Sequence, residues 1–137
     1  MVESFKDLLP EEVKTPEEID KVLQEKLGIG LSEMARALSD SLLERIEELA
    51  EELMNIAPYG DYSKLMEEKD GITKFLQDEA SKPENWKIQF IEAKKEKDQL
   101  IEFVFFNKSV DDGDILKGFV FVGLSGKIRH AFAQVNS

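Results

Sequence analysis

His130 is the single histidine of this 137-residue chain and the side chain best suited to acid–base chemistry. If its segment is a β-strand, Ile128, Phe132 and Gln134 share its face. Burial among apolar side chains favours the neutral imidazole, which can accept a proton. We therefore take His130 as a candidate general base. A hydrogen-bonded structural or surface histidine is the more common alternative.

Aromatic side chains indicate a second kind of chemistry, contact with an apolar ligand. Tyr59 and Tyr62 precede a predicted helix and Trp86 follows it, and such amphipathic rings suit the mouth of a pocket. Packing in the core or at its rim is the more usual role of these residues. The candidate ligand-binding residues are Tyr59, Tyr62, Trp86, Phe90, Phe105 and Phe132.

Two acidic groups have the residue types of metal sites but not the spacing. Residues 111–114 place three aspartates around a glycine, without the spaced ligands and distal glutamate of an EF-hand. Glu44 and Glu48 would need further carboxylates and histidines from a second helix. A polar turn and a solvated helix face explain them better, so we predict no metal and no cofactor.

The charge of the chain is unevenly distributed. Residues 1–85 carry 10 Lys or Arg against 22 Asp or Glu, whereas residues 86–137 carry 8 against 7, within a net charge of −11. Binding to a phosphate backbone requires clustered cations, so we do not expect nucleic acid as a ligand. No apolar run approaches the roughly 20 residues that span a bilayer, and no cysteine is present to form disulfides. These features predict a cytoplasmic protein without a membrane partner.

Helical patterns occupy the first part of the chain. Residues 16–27 are predicted to form a helix capped by Thr15. The most regular apolar stripe covers residues 32–55, with Ser32 as its cap and a bend expected at residues 39–41. A further helix is predicted to begin at residue 70 and to end before the proline at position 83, with an inner face of Ile72, Phe75, Leu76 and Ala80.

From Trp86 onward, apolar and polar residues alternate with the period of two that is typical of a β-strand. In the first strand we expect Trp86, Ile88 and Phe90 on one face. Turn chemistry at residues 94–98, 111–114 and 124–126 predicts three successive hairpins and therefore an antiparallel meander. The predicted strands are residues 86–90, 100–106, 115–122 and 127–135.

We predict one α+β domain in which N-terminal helices pack on a curved four-stranded antiparallel meander sheet. The helices cover one face of the sheet, but the strand over residues 100–106 is apolar on both faces. A homodimer through the sheet would cover the other face. The predicted parts are an N-terminal helical arm (1–30), further helices (31–85) and the sheet (86–137).

Three stretches carry a family resemblance that covers about residues 40–137. Residues 57–60 look like a family segment that ends in Asp-Pro, and residues 70–76 look like its helix start. Residues 119–128 look like a family strand and turn, followed by the Gly-Lys-Ile with which the next strand begins. In this order they resemble the nuclear transport factor 2-like superfamily, which includes ketosteroid isomerases and the cyclases of SnoaL type. The resemblance implies a cone-like fold whose interior, lined by His130, binds small apolar molecules.

Ala57 departs from the family pattern, because isomerase-like members have an acid before the proline and alanine cannot abstract a proton. We therefore expect a non-catalytic binder of a small apolar ligand that forms a homodimer. Two alternatives stay open. One is an isomerase or cyclase of the same fold in which His130 replaces the missing acid. The other is an acidic adaptor or inhibitor whose helical half engages a basic partner.

Overall fold

Helices come first along the chain and a single antiparallel sheet follows. The computed structural model describes residues 15–56, 69–93, 100–107 and 116–135. Neighbouring strands are consecutive in sequence and antiparallel, which confirms the predicted α+β class and the meander. The cone-like form stays a prediction. The described helices are α1 (Pro16–Leu27), α2 (Leu31–Glu44), α3 (Ile46–Ile56) and α4 (Lys69–Ala80), followed by a 3₁₀ helix (Pro83–Asn85). The strands are β1 (Trp86–Ala93), β2 (Ile101–Asn107), β3 (Leu116–Val122) and β4 (Ile128–Val135).

Helix α1 has the bounds that its sequence predicts. Thr15 Oγ1 accepts a hydrogen bond of 3.2 Å from the Glu18 N–H, and Pro16 is the first helical residue. Gly28 ends the helix with φ at 74°, a left-handed conformation that glycine adopts without a Cβ clash. Local capping chemistry is therefore sufficient to define this helix.

Helix α2 begins two residues earlier than a Ser32 cap would place it, because its cap comes from another helix. Asp20 Oδ1, on α1, accepts a hydrogen bond of 2.7 Å from the Leu31 N–H. Gly30 is the N-cap residue, so the prediction of Ser32 as the cap is wrong. A Cβ at position 30 would lie only 2.7 Å from Asp20 Oδ1. Glycine, which has no side chain, therefore leaves room for the carboxylate to reach the helix N-terminus.

The predicted bend in the long helix is present, but it falls at Arg45 and not at residues 39–41. The Arg45 guanidinium donates a hydrogen bond to the Ala133 carbonyl on β4 and lies 3.2 Å from a Glu48 carboxylate oxygen. Ser41 Oγ accepts a hydrogen bond of 3.2 Å from the Ala133 N–H. Since β4 is an edge strand, the end of α2 satisfies backbone groups that the sheet leaves unpaired.

The core lies between the helices and the inner face of the sheet. Helix α2 packs across β3 and β4, and Leu38 lies against the bare backbone of Gly118. The predicted inner face of α4 is confirmed by the burial of Ile72 and Leu76. The largest fully buried side chains are Leu23, Met34, Leu38, Leu42, Leu49, Leu53, Ile72, Leu76, Ile101, Phe103 and Phe105.

A β-bulge in β1 changes the face of Phe90. The pairing of Ile88 with Phe105 is followed by that of Phe90 with Val104, so one residue of β1 is skipped. Because side chains alternate along a strand, the extra residue turns Phe90 to the face opposite Ile88. The prediction that Trp86, Ile88 and Phe90 share a face is therefore wrong for Phe90.

The hairpin between β3 and β4 has the predicted turn at residues 124–126. The Gly126 N–H donates to the Gly123 carbonyl at 2.9 Å, and the Gly123 N–H donates to the Lys127 carbonyl at 3.0 Å. Gly126 has φ at 88°, and a Cβ there would lie 2.0 Å from the Leu27 carbonyl oxygen. The turn therefore packs directly on the end of α1. The other two predicted turns, at 94–98 and 111–114, lie outside the described residues, as do Ala57 and residues 1–14.

Candidate ligand-binding cleft and the outer sheet face

A cleft of about 380 Å³ opens where the first turns of α1 and α2 meet the start of β1. We call it the α2–β1 cleft. Asn85 Nδ2 donates a hydrogen bond of 3.0 Å to the buried Glu79, which ties the 3₁₀ helix on one side of the cleft to α4. Elements that are separately anchored to the core therefore form its walls. The lining residues are Pro16, Leu31, Ser32, Ala35, Arg36, Pro83, Glu84, Trp86, Lys87, Ile88 and Phe105.

Trp86 and Phe105, two of the six candidate ligand-binding residues, come together in this cleft. Trp86 begins β1, and Phe105 pairs with Ile88 on the adjacent strand, so both lie on the inner face. They are 4% and 1% exposed, respectively. The Trp86 indole N–H is buried without a hydrogen-bond partner among the described residues. A buried donor in this state costs roughly 1–3 kcal/mol.

The polar side of the cleft favours negative charge. Arg36 lines it near one carboxylate, that of Glu84, and makes no ion pair among the described residues. Lys87 also borders the cleft, but the register of β1 turns its side chain to the face of the sheet opposite Trp86 and Ile88. The N-cap of α2, Gly30, offers no side chain to the N–H groups of the first turn. The Leu31 N–H donates to the Asp20 carboxylate of α1, and this negative charge offsets part of the partial positive charge of the helix N-terminus.

The opposite side of the sheet, which the described helices do not cover, carries a cluster of aromatic rings. We call this side the outer face. The ring centroids of Phe119 and Phe132 are 5.2 Å apart, and those of Phe121 and Phe132 are 6.4 Å apart. Both distances are typical of attractive aromatic pairs. Phe90 and Phe132, two further candidate ligand-binding residues, lie here and not in the cleft.

His130 also lies on the outer face. Its ring is exposed, with its centroid 5.1 Å from that of Phe132 and 6.3 Å from that of Phe121. It does not line the α2–β1 cleft. The enzyme hypothesis needs an enclosed apolar pocket around this ring, and the face that carries it points away from the helices. A catalytic role for His130 stays a prediction.

The remaining candidates and the missed residues have separate explanations. Tyr59 and Tyr62 lie outside the described residues. The sequence-based prediction missed Leu31, Arg36 and Pro83, which line the cleft. The sequence does show the helix break at residues 28–30 and the proline at position 83, after which the two walls of the cleft begin. That the two walls face each other depends on tertiary packing.

Within the described residues, no group of three or more His, Asp or Glu side chains is arranged to hold a metal ion. The helices in the same part of the chain are all too short or too polar to cross a membrane.

Comparisons of the chain with protein-family models, with curated proteins and with solved structures give no match. Membership of the nuclear transport factor 2-like superfamily therefore stays a prediction.

Proposed function

We propose that this protein binds a small amphipathic molecule, with an apolar body and an anionic end, in the α2–β1 cleft. The observation that carries the proposal is the lining of the cleft, where the rings of Trp86 and Phe105 lie near the guanidinium of Arg36, which makes no ion pair among the described residues. The apolar body of a ligand would pack on the rings, and its anionic end would meet Arg36. The role is binding, without catalysis.

The apolar part of the cleft suits a short hydrocarbon or a single ring. Trp86, Phe105 and Ile88 supply its inner surface, and Leu31 and Ala35 supply the α2 side. Its volume is near the lower end of the roughly 300–1,000 Å³ typical of small-molecule sites. Each CH₂ group buried there contributes about 0.8 kcal/mol before the cost of ordering the ligand.

The anionic end is expected to lie beside Arg36 and the first turn of α2. A guanidinium offers paired N–H donors to a carboxylate, and such charge-assisted hydrogen bonds are about twice as strong as neutral ones. For a ligand of about ten heavy atoms we expect a Kd on the order of 0.1–1 mM.

The test uses Trp86, the only tryptophan of the chain, as its own reporter. Octanoate and 1-octanol are titrated separately while the indole emission is recorded, since they share a hydrocarbon chain and differ in charge. The matched variants are Arg36→Gln, within the cleft, and Arg129→Gln, an exposed arginine that does not line it. Both variants remove one positive charge.

Octanoate is expected to change the Trp86 emission with saturation and to bind several-fold more tightly than octanol. Arg36→Gln should weaken octanoate binding about tenfold and leave octanol binding unchanged, while Arg129→Gln should change neither. At ten times its Kd, octanoate should also stabilise the fold by about 1.4 kcal/mol. An indole emission and a melting temperature that do not respond to octanoate at about 10 mM would refute the proposal, and so would equal losses in the two variants.

A further inference from the structure

A second cavity, of about 520 Å³, adjoins the α2–β1 cleft, because Ser32 and Arg36 line both. We call it the α2–β4 cavity, since its other walls come from α2 and from the first residue of β4. The side chain of Arg36 therefore lies at the boundary between two cavities. The residues that line the α2–β4 cavity are Ser32, Glu33, Arg36, Ala37, Asp40 and Ile128.

The two cavities differ in chemistry. The α2–β1 cleft contains the rings of Trp86 and Phe105. The α2–β4 cavity contains the carboxylates of Glu33 and Asp40, and Arg36 is the one cation among its described lining residues. The second cavity thus has an excess of negative charge, which favours a positively charged group.

The two carboxylates flank Arg36 along the surface of α2. Glu33 precedes Arg36 by three residues and Asp40 follows it by four, so the three side chains lie along one stripe of the helix. All three are exposed, and none makes an ion pair within the part of the chain that the structure describes. An anion bound to Arg36 would therefore lie close to two negative charges that oppose it. A ligand that also carries a positive charge beside its anionic group would meet attraction there instead.

We propose that the ligand of the α2–β1 cleft is a free α-amino acid with an apolar side chain. This inference rests on the proposed function and specifies its ligand class. The side chain packs on Trp86 and Phe105, and the carboxylate meets Arg36. The ammonium group points into the α2–β4 cavity, towards Glu33 and Asp40. A peptide does not fit this pattern, because only a free amino acid carries both charged groups on one carbon atom.

The exposure of the two carboxylates limits the strength of the ammonium contact. Ion pairs between exposed groups contribute little, roughly a 1.5- to fivefold change in affinity for each pair. With Glu33 and Asp40 together, we expect the ammonium group to tighten binding about three- to tenfold at low salt. The gain should shrink at about 0.5 M NaCl, because salt screens exposed charges.

The test compares three ligands that share a hydrocarbon chain and a carboxylate, namely octanoate, 2-hydroxyoctanoate and 2-aminooctanoate. The hydroxyl group is similar in size to the ammonium group but carries no charge. Each ligand is titrated near neutral pH while the Trp86 emission is recorded. 2-Aminooctanoate should bind about three- to tenfold more tightly than the other two. One of its enantiomers should bind at least about threefold more tightly than the other, since three different contacts to one carbon atom distinguish mirror images.

Charge-neutralising variants test the position of the ammonium group. The double variant Glu33→Gln with Asp40→Asn should weaken 2-aminooctanoate binding about three- to tenfold. The same variant should strengthen octanoate binding, because it removes two charges that repel an anion. The matched control is Glu44→Gln, an exposed carboxylate of α2 that lines neither cavity, and it should leave the affinity ratio of the two ligands unchanged. A variant that only disturbed the fold would weaken both ligands, so opposite changes identify the charge contact.

Three outcomes would overturn the inference while octanoate still binds. They are a 2-aminooctanoate affinity no higher than that of 2-hydroxyoctanoate, two enantiomers of equal affinity, and a double variant that weakens both ligands alike or behaves as Glu44→Gln does. In each case the cleft would remain a binding site for an amphipathic anion. If octanoate itself does not bind, the proposed function fails, so the two failures are distinguishable.

Discussion

Replacing Gly118 by alanine tests how closely α2 packs on the sheet. A Cβ at this position would lie 2.6 Å from Leu38 Cδ1 and 2.7 Å from Leu38 Cδ2. Leu38 is fully buried, so its side chain has no free space into which it can move. Overpacking of this kind costs typically 1–3 kcal/mol. For a domain of this size we expect the melting temperature to fall by about 3–12 °C.

Gly123→Ala is the matched control for this experiment. Its added Cβ would lie 3.5 Å from the nearest atom, an ordinary van der Waals contact, and the backbone needs no positive φ. Urea unfolding of the two variants is compared at one temperature. Gly118→Ala should show a lower midpoint with an unchanged slope, while Gly123→Ala should stay within about 0.5 kcal/mol of the wild type.

The double variant Gly118→Ala with Leu38→Ala provides the decisive measurement. Leu38→Ala alone should cost about 2–5 kcal/mol because it leaves a cavity. The new methyl group at position 118 would point into that cavity, so the double variant should be more stable than the sum of the single losses predicts. Strictly additive losses, or a Gly118→Ala variant as stable as Gly123→Ala, would refute the packing contact between α2 and β3.

Two further substitutions test backbone contacts that hold the helices on the sheet. Ser41→Ala removes the acceptor of the buried Ala133 N–H and should cost about 1–3 kcal/mol in urea unfolding, and an unchanged midpoint would contradict the contact. Gly126→Ala should destabilise the fold more than Gly28→Ala. A Cβ at position 126 would overlap the Leu27 carbonyl, whereas a Cβ at position 28 would meet no neighbouring atom within 4 Å. Since both glycines have positive φ, each loses about 1 kcal/mol from strain, and equal losses would show that the Leu27 contact is not rigid.

Sequence patterns predicted the elements whose signals are local. Helix α1 carries its own caps, in Thr15, Pro16 and Gly28, and its bounds are as expected. The four strands and their order follow from the change of period at Trp86 and from turn residues such as Gly126. In each case the chemistry that defines the element lies within a few residues of it.

The features that were missed depend on contacts between distant parts of the chain. Helix α2 is capped by Asp20 of another helix. The bend at Arg45 accompanies hydrogen bonds to Ala133, a residue of the last strand. The sequence does not reveal the bulge that turns Phe90 outward, because apolar and polar residues alternate without interruption from Trp86 to Phe90. The sequence pattern does not show that Arg36 and Trp86 line the same cleft, because the two residues come close only when α2 packs on the sheet.

The hydrogen bonds at Ala133 also have a consequence for how the chain folds. They join β4 to residues that precede it by 92 and 88 positions, at Ser41 and Arg45. The hairpins of the meander join near neighbours in sequence and close quickly, whereas contacts over such separations must first overcome the entropy of closing a long loop. We therefore expect α2 to dock late, onto a sheet that has already formed, so that the helical side of the molecule assembles last.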